Sequence, residues 1–241
     1  MTSGRPQSVL ATGQLAIAAV FVTALVTAQL TAAKVLAFSL PFSLPIAGDS
    51  LVLPGAALAY ALTFFASDCY SELYGRKAAT RLVNVAFAMN FVMLVLVWST
   101  IQAPAAQSSV DPQKFRTVLG ASTPIVVGSL LAYVVSQNWD VVVFHKIREL
   151  TGNAHLWARN IGSTASSQAI DTVIFVGVAF FIFPQYLGIG AKLPGEIILA
   201  LIVGQYILKL LIAFLDTPLV YVVVGYLRSQ GHAPSYSTAA D

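Results

Sequence analysis

The 241 residues (25.6 kDa) are 57% hydrophobic and only 10% charged, with a mean hydropathy of +0.79. A soluble domain carries about 25% charged residues, so composition excludes one and makes this a membrane protein. The net charge of +3 does not signal a nucleic-acid partner, because the 13 basic residues are spread along the chain and form no stripe. The single cysteine, Cys69, excludes an intramolecular disulfide, and no Cys/His cluster has metal-ligand spacing, so neither a metal nor another cofactor is expected.

At the N-terminus, Arg5 precedes an apolar stretch and the small residues Thr31, Ala32 and Ala33 follow it, as in a secretory signal. No charge appears from Pro6 to Ala33, however, which is longer than the roughly 7–15-residue apolar core of such a signal. The stretch reads as the first of several spans. Crossing about 30 Å of hydrocarbon takes roughly 20 mostly apolar residues. That ruler gives six: residues 14–36, 51–70, 82–101, 124–144, 161–183 and 196–227, the last long enough to tilt or kink. Backbone amides inside a bilayer must be paired within the segment, so these runs predict an all-α bundle in a single transmembrane domain over residues 1–241.

Between spans, Pro41, Pro45 and Gly48 mark a loop, as do residues 102–117 and 184–194. Arg76, Lys77 and Arg81 fall in the second connection and Lys146, Arg148 and Arg159 in the fourth. With Arg5 and Arg228 these form one basic side, whereas the other side has only Lys114, Arg116 and Lys192. The positive-inside bias therefore places both termini in the cytoplasm. No connection is long enough for a soluble domain, so all function must sit in the bundle. An inverted repeat pairing the stretches around Asp68 and Asp171 is conceivable, without sequence similarity to carry it.

Charges within spans are where function is sought, because each costs about 2.5–3.5 kcal/mol at mid-bilayer on insertion scales. Asp171 lies near the middle of the fifth span, and Lys209 and Asp216 straddle the middle of the sixth. Lys209 and Asp216 are two turns apart on one face, too far to pair, so each needs a partner on another helix. A structural ion pair such as Lys209 with Asp171 and a polar cavity lined by the same groups are both open, and do not exclude each other. Asp68 and Glu72 share a face at the end of the second span, just before Tyr74-Gly75. Either they hold a cation or a hydrogen-donating ligand between them, or they pair with Arg76, Lys77 or Arg81 next door. Lys34 has the simpler reading of a side chain snorkelling to the interface.

The fifth span also carries Ser163, Thr164, Ser166, Ser167 and Gln168 ahead of Asp171. Hydroxyls of this kind serve as packing glue, but Gln168 and Asp171 on one face suit a cavity lining. Trp139 and Asp140 close the fourth span, a ring beside a carboxylate that suits a flat, hydrogen-donating ligand. Nucleophilic catalysis is not expected: His145, His155 and His232 all fall in connections or the tail, away from intramembrane serines. An aspartyl pair of Asp140 with Asp171 is the remaining catalytic alternative, an intramembrane hydrolase that loses turnover in Asp140→Asn.

Four segments in order carry a family resemblance: Ser67-Asp68-Cys69-Tyr70-Ser71-Glu72-Leu73-Tyr74-Gly75 with Arg76-Lys77-Ala78; Leu156-Trp157-Ala158-Arg159-Asn160 with Ser163-Thr164; Ser167-Gln168-Ala169-Ile170-Asp171-Thr172; and Leu215-Asp216-Thr217-Pro218 with Tyr221. The chain resembles the queuosine precursor transporters, six-span proteins also grouped as vitamin uptake transporters. The resemblance implies import of a 7-deazaguanine, cyano- or aminomethyl-substituted, across the plasma membrane, with the lipid bilayer and this small molecule as partners and no nucleic acid. A guanine-like base offers an N–H and an amino group side by side, which one carboxylate accepts, and a face that stacks on an aromatic ring. On this reading Glu72 or Asp171 takes the bidentate contact, Asp68, Gln168, Arg159 and Asp140 supply polar surroundings, and Trp139 or Trp157 stacks. Lys209 and Asp216 take a gating or coupling role.

Ala24, Ala28 and Ala32 form a small-residue seam on the first span. Such a seam closes the bundle or forms a homodimer. It is also similar to the alanine motif by which substrate-binding subunits of energy-coupling-factor transporters dock on their motor, which gives the alternative of a motor-dependent binding subunit.

Overall fold

Helices dominate the computed structural model, which describes residues 12–44, 47–151 and 156–229, apart from the side chains of residues 156–160, 217 and 228. In chain order these are α1 (Thr12–Thr31), β1 (Val35–Leu44), β2 (Gly48–Pro54), α2 (Ala57–Tyr74), α3 (Arg76–Gln102), α4 (Pro112–Gly120), α5 (Ser122–Leu150), α6 (Leu156–Val176) with a π-helical continuation over Gly177–Leu187, and α7 (Gly195–Ser229). Five stretches are long and apolar enough to cross a membrane: Thr12–Thr31, Arg76–Gln102, Pro112–Leu150, Ile161–Leu187 and Gly195–Asp216, with the shorter apolar Pro218–Leu227 beyond the last. Large apolar side chains such as Phe91, Val95 and Leu96 on α3, and Phe214 and Leu219 on α7, stand on the outer face, where lipid rather than water meets them. The expected all-α membrane bundle is present.

Its boundaries depart from the sequence reading in ways that local chemistry explains. Around the expected loop, Pro41 lies in β1 and Gly48 in β2, which form an antiparallel hairpin pairing Val35 with Pro54, Ala37 with Val52 and Ser39 with Ser50, while Pro45 lies outside the described residues. Gly48, at φ +68°, supplies the left-handed turn residue. The ladder is irregular between Ser39 and Leu44, where Pro41 lacks an amide hydrogen to donate. Residues 51–54, read as the start of the second span, therefore belong to β2, and α2 begins only at Ala57. Thus shortened and carrying Asp68 and Glu72, α2 is not among the five stretches above, yet it packs against α1, α3 and α7.

Three further connections are helical over part of their length. Asp111 caps α4 by accepting from the Gln113 and Lys114 amides (2.8 and 3.1 Å), with Pro112 in the first turn. Arg76, Lys77 and Arg81 lie on α3, which restarts after Gly75 at φ +85°, and α5 runs through His145, Lys146 and Arg148 to Leu150. His145 is thus on a helix, not in a connection, and its Nδ1 lies 2.8 Å from the Val141 carbonyl.

Ala24, Ala28 and Ala32 are all buried within the chain, so the seam closes the bundle rather than forming an open face. Ala28 and Ala32 join Val52, Ile125, Phe175 and Leu201 in the main core. The hairpin reaches that core because α7 carries a glycine beneath it. A Cβ on Gly204 would lie 2.1 Å from the Val52 carbonyl oxygen, a clash with backbone that no rotamer relieves. Gly204→Ala should therefore destabilise the fold by about 1–3 kcal/mol, the usual cost of overpacking. Gly225→Ala, where nothing lies within 4 Å, should leave the unfolding midpoint in detergent unchanged or raised.

Candidate functional site

At the centre of the bundle the Lys209 ammonium meets the Asp171 carboxylate, joining α7 to α6. The Ser136 hydroxyl on α5 donates to the other Asp171 oxygen at 3.2 Å. The ammonium also sits 5.8 Å from the centre of the Tyr60 ring on α2, within cation–π range. Four helices thus converge on one buried charge pair, and the ion-pair alternative raised from the sequence is realised in the geometry.

Beside the pair lies a cavity of about 130 Å³, far above the roughly 10–15 Å³ that admits one water. Its walls are the rings of Tyr60, Phe87, Tyr133 and Phe175, with Ala28, Ala32 and Ala132 leaving the space between. Phe87 and Tyr133 approach to 4.8 Å between ring centres at a shallow 33° tilt. Besides the Tyr60 and Tyr133 hydroxyls, the polar groups in the wall are Gln29, Ser129, Asp171 and Gln205. Ser129 donates to Gln29 Oε1 at 3.4 Å, a long bond, whereas Gln205 Oε1 is buried and reaches no donor. Aromatic and aliphatic walls with a few polar groups are the make-up of a small-molecule site.

Of the candidate ligand-contacting and gating residues named from the sequence, Asp171 lines this cavity and the others with described side chains do not. Trp139 donates from its indole to Ser166 at 3.2 Å, and Ser167 donates to Asp140 at 3.2 Å, so both are hydrogen-bonded across the α5–α6 contact. Asp140 and Asp171 thus hold different serines. Gln168, one turn from Asp171, buries its side-chain oxygen without a donor. Asp68 and Glu72 lie on an exposed face of α2, and Asp68 is close enough to Asp216 for the two carboxylates to interact. Asp216 is buried and neither of its oxygens reaches a donor. The side chains of Trp157 and Arg159 lie outside the described residues. Among the described residues, no three His, Cys, Asp or Glu side chains group as metal ligands.

Gln29, Tyr60, Ser129 and Gln205 were not singled out from the sequence. Gln29 and Gln205 are amides in mid-span, the same anomaly that exposed Lys209, but neutral and therefore cheaper to bury. Tyr60 gave no signal among so many aromatics.

Residues 54–223 match the family described as "Putative vitamin uptake transporter". The chain belongs to that family. This vitamin uptake transporter homologue is 32% identical over 163 residues to the "Probable queuosine precursor transporter" of Bacillus subtilis (strain 168), a match covering 67% of each chain. It is 28% identical over 129 residues to the protein of the same description from Haemophilus influenzae (strain ATCC 51907 / DSM 11121 / KW20 / Rd), covering 52% of this chain and 50% of that one. No solved structure matches it. The matched region holds α2 to most of α7, and with them the Asp171–Lys209 pair.

Removing one member of that pair strands the other charge in the bundle. Lys209→Met should lower stability by about 3–5 kcal/mol, whereas Lys209→Met combined with Asp171→Leu should recover most of the loss. Thermal unfolding of the three proteins in the same detergent checks this.

Proposed function

We propose that the chain imports a queuosine precursor, a 7-deazaguanine bearing a cyano or aminomethyl group, across the plasma membrane without altering it chemically. Membership of the vitamin uptake transporter family and the printed descriptions of both relatives support this. The observation that carries it is the central cavity, where aromatic rings and a few polar side chains surround a space inside an otherwise apolar bundle. A deazaguanine presents two faces for stacking and N–H donors along one edge, which suits such a wall. Both termini lie in the cytoplasm on this reading, in keeping with the basic residues on that side. The alanine seam is spent inside the chain, so it offers no open face for a motor subunit to dock on.

The test is the queuosine content of tRNA in a bacterial host that neither makes nor imports the precursor. Fed limiting 7-cyano-7-deazaguanine, cells expressing this chain should regain queuosine, and Asp171→Ala at equal membrane abundance should lose most of it. No restoration at good expression would overturn the proposal.

A further inference from the structure

In the cavity wall, the hydrogen-bonding capacity of the polar side chains is unequally spent. Asp171 already holds Lys209 on one oxygen and Ser136 on the other. Gln29 already receives Ser129. Gln205, on α7 one turn before Lys209, is 7% exposed and its oxygen has no donor. An unpaired amide oxygen in apolar surroundings is destabilising, so this side chain is a cost to the empty protein. Of the described buried side chains left with unpaired atoms, it is the one in the cavity wall, where a ligand would relieve that cost.

Accepting that the cargo is a deazaguanine, we infer that Gln205 reads the lactam edge of the base, the adjacent ring N–H and carbonyl. A primary amide carries a carbonyl acceptor and N–H donors side by side, and so complements that edge with two parallel hydrogen bonds. The terminal torsion of a glutamine is broad, so turning the amide toward the cavity carries little strain. Tyr60, Phe87, Tyr133 and Phe175 supply the apolar walls that keep water from competing for those bonds. The carboxylate of Asp171 is then not the group that discriminates the base. Engaged by Lys209 and Ser136, it fixes α5, α6 and α7 around the cavity, and Gln205 determines specificity.

Purified protein in detergent separates these roles, with 7-cyano-7-deazaguanine and its N1-methyl analogue as probes. The wild type should bind the N1-methyl compound at least about tenfold more weakly, since the methyl group removes the donor. Gln205→Leu should weaken binding of the parent by about tenfold or more and reduce the difference between the two compounds to near one. The same substitution should leave the unfolding temperature of the empty protein unchanged or raised, because it removes an unpaired polar group. Gln205→Met, closer in shape, should behave alike and serves if Gln205→Leu does not accumulate. Undiminished discrimination in either variant overturns the assignment while leaving import of the base intact. Lowered stability together with lost binding marks Gln205 as structural and also overturns it. Failure of the wild type to bind the parent compound overturns the functional reading itself, and the assignment with it.

Discussion

A lysine and an aspartate facing each other in the middle of the bundle set the terms for everything around them. The Lys209 ammonium is buried and the Asp171 carboxylate half-buried, and the pairing offsets much of what each loses in hydration. That pairing pins α7 against α6. Ser136 extends the constraint to α5 and the Tyr60 ring extends it to α2. The cavity lies alongside this junction, so its walls are positioned by the same contacts that make the charges affordable. Two jobs fall on one cluster: it holds the helices in register and brings an ion pair to the edge of the cavity.

Space inside the bundle comes from small residues and close backbone approach rather than from a gap left by chance. Ala28, Ala32 and Ala132 line the cavity where larger side chains would fill it. Gly128 brings α5 within contact of Phe175 and Ala179, where a Cβ would lie 3.2 Å from both the Phe175 carbonyl and the Ala179 side chain. Gly55 and Gly204 do the same for the hairpin, whose backbone lies against the end of α1 and against α7. The hairpin pairs β1 with β2 and buries Val52 and Leu53 of β2 against the helices, while most of β1, with Phe38 and Phe42, stays exposed.

Polar residues in the helices divide by whether their bonds are satisfied. Trp139 with Ser166 and Asp140 with Ser167 are complete, and they fasten α5 to α6 as interhelical hydrogen bonds do in membranes. Asn90, Gln168, Gln205 and Asp216 retain buried atoms without partners. Of these, Gln205 alone lines the cavity. A protein that only needed to be stable would gain by replacing such groups with apolar ones; a protein that must recognise a polar cargo has reason to keep them.

Composition determined the membrane class by itself, because spans in lipid are built mostly of apolar residues and the chain is 57% hydrophobic and only 10% charged. The same rule exposed Asp171 and Lys209 as anomalous, and the motifs around Asp68, Gln168 and Asp216 gave the family. Hydropathy also misplaced the start of α2, since Leu51, Val52 and Leu53 are equally apolar in a helix or a strand and only their pairing with β1 distinguishes the two. Which polar residues meet was a matter for tertiary structure. Trp139 and Asp140 look like ligand contacts along the chain and are turned to α6 in space, whereas Gln29, Tyr60, Ser129 and Gln205 come from four separate helices to one cavity. Sequence registers the cost of burying each group, but its partner lies 35 to 100 residues away, as in Ser136 with Asp171, Lys209 with Asp171 and Ser129 with Gln29. Only packing of the helices brings those distances to zero.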